Sequence, residues 1–287
     1  MAEILSASVL LAAVLGAIAA AIPLLLATLG ESVGEASGVL NLGIEGQMLF
    51  GAYVGFVVAY ATQHVWLGML AACAVGLLSA LPMLLALVLN LNQIVVGLAV
   101  YLGGLGITSV MHELWLSESN PRIAPGFDWI GVAAVLLVIA VQLIMSRTRW
   151  GLLVQATGYN PKSVEVAGAS VLSIRALSVI FGSVCSALAG AYLSIQVVGT
   201  FTPGMTHGLG FLAIIVTVLA RTKIWTGALL SLAFGMIVAL GTFSQLTELS
   251  VPSDVISIIP FVLVMIVLGF TRKRQLDNRV LGVNYER

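Results

Sequence analysis

Apolar residues fill this chain in long stretches that no charged side chain interrupts. Residues 4–30, 46–112, 176–220 and 224–247 contain no Asp, Glu, Lys or Arg. A helix that crosses a bilayer needs about 20 apolar residues at ~1.5 Å rise each, so the second of these stretches has room for three crossings. The pattern predicts helices near 9–29, 46–62, 66–89, 93–112, 129–146, 176–197, 208–220, 226–246 and 254–270. The segment 208–220 is too short to cross alone. It follows Thr202-Pro203-Gly204, a combination that ends helices, and it is expected as part of a broken or re-entrant helix. The fold class that follows is all-α: a polytopic membrane protein with about 8–10 transmembrane helices.

Composition agrees. Charged residues make up 8% of the 287 and hydrophobic residues 60%, whereas a soluble domain carries about 25% charged residues; lipid must serve as the surface that these few charges could not cover. Pro23, Pro82, Pro203 and Pro260, with many of the 30 glycines, fall in apolar runs where membrane helices tolerate them. The N-terminus lacks the basic region of a cleavable signal peptide. Cys73 and Cys185 both lie in apolar runs and read as small core residues rather than as a disulfide or metal pair.

Net charge is zero, but its distribution is uneven. The first basic residue is Arg122; the other eleven are Arg147, Arg149, Lys162 and Arg175, then Arg221 and Lys223, then Arg272, Lys273, Arg274, Arg279 and Arg287. The positive-inside rule puts these three groups in the cytoplasm, including a C-terminal tail at 271–287, and puts the connection Glu113–Asp128 and the one holding Glu248 and Asp254 outside. Trp66, Trp115, Trp129, Trp150 and Trp225 fall near predicted helix ends, where interface anchors belong. The stretch 30–46, with Glu31, Glu35, Asn41, Glu45 and Gln47, has two readings: a loop, or non-helical backbone at membrane depth, allowed only where protein or a water-filled cavity lines it. The side of the N-terminus turns on that choice.

The cytoplasmic connection at about 147–175 has a helical look. Asn160 before Pro161 is an N-cap with proline at the first helical position. Val164 and Ala167 then fall on one side, and Gly168 can end the helix. A short helix at the membrane face and a mere connector are both consistent with this pattern.

Three motifs carry a family resemblance. The run Ala156-x-Gly158-x-Asn160-Pro161-x-x-Val164-x-x-Ala167-Gly168 resembles the coupling loop of ABC importer permeases. The string from Gly38 through Asn41-Leu-Gly-Ile-Glu45-Gly46-Gln47-Met48 to Gly51-Ala52-Tyr53 is similar to the N-terminal signature of the nucleoside and simple-sugar branch. Thr202-Pro203-Gly204 through Gly208-x-Gly210-Phe211-x-Ala213-Ile214 is the third. They keep their order and spacing over nearly the whole chain, which is identified as a member of the branched-chain amino acid, simple-sugar and nucleoside permease family, most similar to guanosine-type nucleoside permeases. Two positions depart from the pattern: Gln155 stands where the family has a basic residue and Val164 where it has alanine.

The resemblance implies one permease domain over 1–287, in a bacterial inner membrane, that imports solute by alternating access. It implies a second related permease chain, an ATP-binding cassette ATPase carrying ATP and Mg, and an external substrate-binding lipoprotein or periplasmic protein. It implies a coupling role toward the ATPase for Ala156, Gly158, Asn160, Pro161, Val164, Glu165, Ala167 and Gly168. The chain itself has no P-loop, since Lys162, Lys223 and Lys273 follow Pro161, Thr222 and Arg272 rather than glycine. His64, His112 and His207 are scattered, without metal-ligand spacing. No catalytic residue, resident cofactor, metal or nucleic-acid partner is expected.

Polar side chains within apolar runs are costly and mark candidate pathway positions. Asn41, Glu45 and Gln47 form one group, and Asn41 and Glu45 share a face if that stretch is helical. Asn90, Asn92 and Gln93 form a second; Thr202, Thr206 and His207 a third. Tyr53, Phe56 and Phe211 offer rings that could stack on a base. Such neutral groups suit an uncharged, hydroxylated solute such as a nucleoside. A helix-cap or inter-helix role for Glu45 is an equal alternative, and Asn90–Gln93 also fit a short cytoplasmic or interfacial turn. Gly182, Ser186 and Gly190, and Gly51 with Gly55, permit close helix packing within the chain or at a permease–permease seam. The competing functions are a simple-sugar permease and a proton-coupled secondary transporter using Glu45; a membrane enzyme is disfavoured because Ser183 and Ser186 have no histidine nearby in sequence.

Overall fold

The computed structural model describes residues 7–116, 121–124, 128–246, 262, 281 and 282, with side chains from Gly16 onward and, in the last helix, through Ile237. Eleven helices follow one another among these residues: α1 (Ala7–Ala36), α2 (Ile44–Thr62), α3 (Val65–Ser79), α4 (Leu81–Val88), α5 (Gln93–Trp115), α6 (Trp129–Arg147), α7 (Arg149–Tyr159), α8 (Pro161–Val166), α9 (Val171–Tyr192), α10 (Leu209–Ala220) and α11 (Ile224–Leu246). A π-helical turn, Leu193–Val198, extends α9. Six stretches are long and apolar enough to cross a bilayer: Gly16–Ala36, Ile44–Thr62, Val65–Val88, Gln93–Trp115, Trp129–Arg147 and Val171–Val198. The fold is therefore all-α and polytopic, as the charge-free runs predict. The expected span 254–270 and the tail 271–287 lie outside the described residues, apart from 262, 281 and 282.

α1 is the hub. Within its apolar span 72% of residues are buried inside the protein, against 22% for α5, so α1 is central and α5 faces outward. Glycines allow the close approach. α1 runs antiparallel to α9, with Gly30 against Gly182 and Cys185 and Ser37 beside Arg175. It also runs antiparallel to α11, where Ser231 Oγ donates to Thr28 Oγ1 at 3.0 Å. α2 runs parallel to α9: Gly51 lies against the Ala187 carbonyl, Gly190 against the Met48 carbonyl, and Ser194 Oγ donates to the Ala52 carbonyl at 2.8 Å. The small-residue spacing thus serves packing within the chain, where lipid gives apolar burial little driving force and close van der Waals contact replaces it.

Between α1 and α2 the chain is not helical. Residues 37–43 run as turns and irregular backbone, and Ser37, Gly38, Val39, Asn41 and Gly43 are buried. Gly97 of α5 sits against Leu42 and Gly43. Of the two readings of 30–46, this is non-helical backbone enclosed by protein; α1 continues to Ala36 and α2 starts at Ile44, so only the middle of the stretch is irregular. Asn41 precedes α2 and shares no helical face with Glu45, because its Oδ1 accepts from Gly43 N at 3.0 Å and forms an Asx turn just before the helix.

The α7–α8 connection fixes one end of the molecule. Gly158 of α7 is buried against the Ala36 carbonyl at the end of α1, and Gly282 N donates to the Gly38 carbonyl at 3.1 Å. The end of α1, the α7–α8 connection and Gly282 therefore share one side, and α1 begins on the other. Trp66, Trp115, Trp129 and Trp225 are exposed near helix ends, while Trp150 is half-buried.

Candidate functional site

Two helix N-termini meet on Glu45. The residue lies in the first turn of α2 and is only 4% exposed. Its Oε1 accepts from Thr206 Oγ1 at 2.5 Å and from Gly208 N at 2.8 Å; its Oε2 accepts from Gly210 N at 2.6 Å. Those amides belong to the start of α10. The chain reaches that start through an irregular stretch after the π turn, in which Gly199, Gly204, His207 and Gly208 all have positive φ. Pro203 cannot donate a helical hydrogen bond, and the glycines supply the left-handed conformations. The break leaves the first N–H groups of α10 without intrahelical acceptors, and the carboxylate takes them, where the helix dipole also favours negative charge. Both Glu45 oxygens are committed to the scaffold.

A second network lies beside it. Asn41 Nδ2 donates to Gln47 Oε1 at 3.0 Å, and Gln47 Nε2 donates to Ser183 Oγ at 2.8 Å and to the Ser79 carbonyl at 3.4 Å. Ser183 is near the middle of the 28-residue span Val171–Val198, so these amides are buried at mid-depth and satisfied by one another, as groups removed from water must be. Asn41 N also donates to Glu31 Oε1 at 3.4 Å. Gln93, fully buried, accepts from Leu40 N at 3.2 Å. Thus Asn41, Glu45, Gln47 and Gln93 are brought together around 37–47.

The other candidates are placed apart. Asn90 is exposed with φ +53 in the turn before α5, and Asn92 caps α5, accepting from Ile94 N and Val95 N, so both lie in an exposed turn. Thr202 and His207 are exposed on the break. Tyr53 meets Phe201 edge-on, with ring centroids 5.2 Å apart, and Tyr101 meets Phe211 likewise at 5.1 Å. Tyr53, Tyr101 and Phe211 are partly exposed, whereas Phe56 is fully buried and stacks on Tyr60, so its ring is not available to a solute.

Sequence reading missed several partners. Arg175, counted among the cytoplasmic charges, is 2% exposed and its Nε donates to the Ser37 carbonyl at 3.3 Å. At the opposite end, Tyr192 donates its hydroxyl proton to Asp128 Oδ2 at 2.5 Å, and Asp128 Oδ1 accepts from Gly131 N at 2.7 Å, capping α6. Ile123 N donates to the Gly199 carbonyl at 2.8 Å, so the α5–α6 connection is tied to the break. No local signal links residues this far apart in the chain. Among the described residues no group of His, Cys, Asp or Glu could hold a metal ion.

Of the two readings of the connection at about 147–175, it holds a short helix. Asn160 Oδ1 accepts from Ser163 N at 3.3 Å and Pro161 opens α8. Gly168, with φ +83, ends the turn by donating to the Glu165 carbonyl. Pro161 and Val164 face inward; Lys162, Ser163, Glu165, Ala167 and Gly168 are exposed, and Val166 is 90% exposed. Val164 and Ala167 do not share a side, because Ala167 is the C-cap and turns outward. Ala156 is half-buried and Gly158 fully so.

The comparisons with known proteins agree on the class. A family model described as the branched-chain amino acid transport system / permease component matches residues 13–268. A protein of Haloferax volcanii named as a candidate glucose ABC transporter permease is 34% identical over 256 residues, covering 80% of this chain and 77% of its own. A nucleoside ABC transporter permease protein of Lactococcus lactis is 25% identical, covering 92% and 93%. A solved structure of a candidate metal-chelate type ABC transporter in an inward-facing conformation superposes with a TM-score of 0.57 at 14% identity, covering 90% of this chain and 85% of that one; this similarity speaks to the fold alone.

Proposed function

The chain belongs to the branched-chain amino acid transport system / permease component family, and we propose that it carries an uncharged, hydroxylated solute inward, foremost purine nucleosides such as guanosine. As a permease subunit it is the membrane part of an ABC transporter and not an enzyme by itself. One observation carries the substrate reading: at the crossing of α2 and α10 the carboxylate of Glu45 is consumed by Thr206, Gly208 and Gly210. The candidate pathway groups left partly or fully exposed elsewhere, on α2, on the break and on α10, are Tyr53, Thr202, His207 and Phe211, with Tyr101 against Phe211; all are aromatic or hydroxylated. Aromatic faces stack on a base, and hydroxyls bind sugar hydroxyls. A zwitterionic amino acid would need a counter-charge that this crossing does not offer.

The Asn41–Met48 string and the nucleoside relative support this reading. The glucose permease, at the higher identity, favours a second: a simple sugar. Uptake of guanosine, ribose, glucose and leucine by the reconstituted complex separates them. Guanosine uptake is expected; leucine alone would refute both. The engagement of Glu45 argues against proton coupling through it. Uptake driven by a proton gradient without ATP would reverse that conclusion.

Energy enters through α8. It docks in a groove of the partner ATPase, presenting Lys162, Glu165, Val166 and Ala167, with Val164 and Pro161 anchoring it to the permease. Gly158 rests on the end of α1, and the backbone after α1 leads to Asn41, Gln47 and Glu45. Movement of α8 therefore reaches the mid-membrane crossing through packed backbone. Two such chains, this one and a related permease, complete the channel above two ATPase sites, with an external binding protein delivering solute. The α7–α8 end then faces the cytoplasm and α1 begins outside. Labelling of single cysteines placed at Lys162 and at Trp66 in intact cells tests that orientation: the second is expected to react with an impermeant reagent and the first is not.

A further inference from the structure

α6 packs chiefly on α1, α7 and α11, and a groove of about 520 Å³ separates it from α9. Val141 and Ile144 of α6 and Trp150 of α7 form one wall; Leu177, Phe181 and Val184 of α9 form the other. Every lining residue is apolar or aromatic, and no Asp or Glu is among them. Both α6 and α9 belong to stretches that can cross a bilayer, and Leu177 is 52% exposed, so the groove opens sideways into lipid. Its end toward the coupling connection changes character. Arg147 follows Ile144 by one turn on α6, Arg149 precedes Trp150, and Ser173 precedes Leu177 by one turn on α9. Residues one turn apart share a helix face, so the walls that are apolar at depth become cationic and hydroxylated at the mouth. Arg147 and Arg149 are exposed, and among the described residues neither meets a carboxylate.

We propose that this groove holds an acyl chain of an anionic phospholipid whose phosphate meets Arg147 and Arg149. The buried part of the occupant is apolar, because the walls offer a polar segment no hydrogen-bonding side chain but the Trp150 indole, and burying such a segment unpaired is costly. Its outer end is an anion, because two arginines stand at the mouth, and a guanidinium suits phosphate through paired hydrogen bonds. Trp150 lies where the two halves join, the level at which tryptophan anchors a membrane protein. A phospholipid has this order of groups and surrounds the protein already. In the orientation proposed above the mouth faces the inner leaflet, whose anionic lipids are drawn to basic groups near the surface. α6 leads into the coupling connection and α9 leads out of it, so the acyl chain is wedged between the two spans that flank α8 and sets their spacing.

Native mass spectrometry of the full-length chain, in the delipidated complex it forms in detergent, tests this directly. Phosphatidylglycerol, phosphatidylcholine of the same chain length and inorganic phosphate are titrated separately. Phosphatidylglycerol is expected to bind in preference to the other two. Arg147→Gln and Arg149→Gln are each expected to weaken it about fivefold, and the double replacement about 25-fold. Leu177→Trp, at an exposed position on the groove wall, fills the space for the acyl chain and is expected to abolish the preferential binding in a complex that still assembles. Lys223→Gln, at an exposed cation outside the groove, is expected to leave binding unchanged. Equal binding of the two lipids, or equal weakening by Lys223→Gln, overturns the role of the two arginines. Undiminished binding to Leu177→Trp overturns the groove, and inorganic phosphate binding as well as the lipid overturns the lipid assignment. Release of the ATPase or of the related permease by the double variant assigns the arginines to a protein interface and overturns the site as well. Because lipid binding is read without transport, a complex that carries some other solute fails the substrate reading and leaves this result standing.

Discussion

Two polar regions interrupt the apolar chain, and they solve the same problem in opposite ways. Around Glu45 at mid-depth, partners come from far along the chain: Gln47 and Ser183 are 136 residues apart, Glu45 and Gly210 165. Around α8 at the membrane face they come from the next turn: Asn160 with Ser163, Ser170 with Ser173, Thr148 with Gly151, each three residues apart. The first region is buried to within a few per cent and the second is largely exposed. Where water and headgroups can complete an imperfect set of hydrogen bonds, a local cap is enough; at mid-membrane every group must find a protein partner, and only the tertiary fold supplies it.

If that contrast is right, damage to stability should fall steeply from the crossing to the connection. The largest effect is expected at Gly190, where a Cβ would enter the Met48 carbonyl of α2 and neither backbone can retreat. Gly190→Val should cost more than about 4 kcal/mol and leave little monodisperse protein in fluorescence-detected size exclusion. Glu45→Ala comes next. It strands two amides and a hydroxyl in the interior and should cost about 3 kcal/mol, read as a lowered unfolding temperature in detergent; Glu45→Gln, which keeps an acceptor oxygen, should cost less. An unchanged unfolding temperature for Glu45→Ala would mean that its three bonds do not hold the break.

Asn160→Ala removes a cap and should cost about 1 kcal/mol, with a matching local rise in hydrogen exchange over α8. The smallest change in stability, within about 0.5 kcal/mol, is expected for Ala167→Arg, an exposed position. Yet this variant should abolish uptake and transport-stimulated ATP hydrolysis by placing a desolvated charge in the ATPase groove. Gly168→Glu is a poorer probe than the loop sequence suggests, because φ +83 strains any side chain there; Gly168→Asn, which tolerates that conformation, is the matching control. Normal uptake by Ala167→Arg would reduce the 147–175 connection to a link between helices.

The sequence by itself determined the crossings among the described residues, the break around Pro203, the cap at Asn160 and the class of protein. Each of these rests on an uninterrupted apolar run, a residue that cannot continue a helix, or groups within one turn of each other, and all of that is written in adjacent residues. Only the tertiary structure decided that Glu45 caps α10, that Gln47 meets Ser183, that Arg175 is buried against Ser37 rather than exposed, and that Asp128 receives Tyr192. It also decided that α1 starts at the end opposite α8, which followed once residues 37–43 proved to be protein-lined backbone instead of a loop. A polar residue in an apolar run announces that it needs a partner but not which one, because the choice among hydroxyls and amides more than a hundred residues away is made by how glycine-paired helices stack, and spacing along the chain carries no record of that.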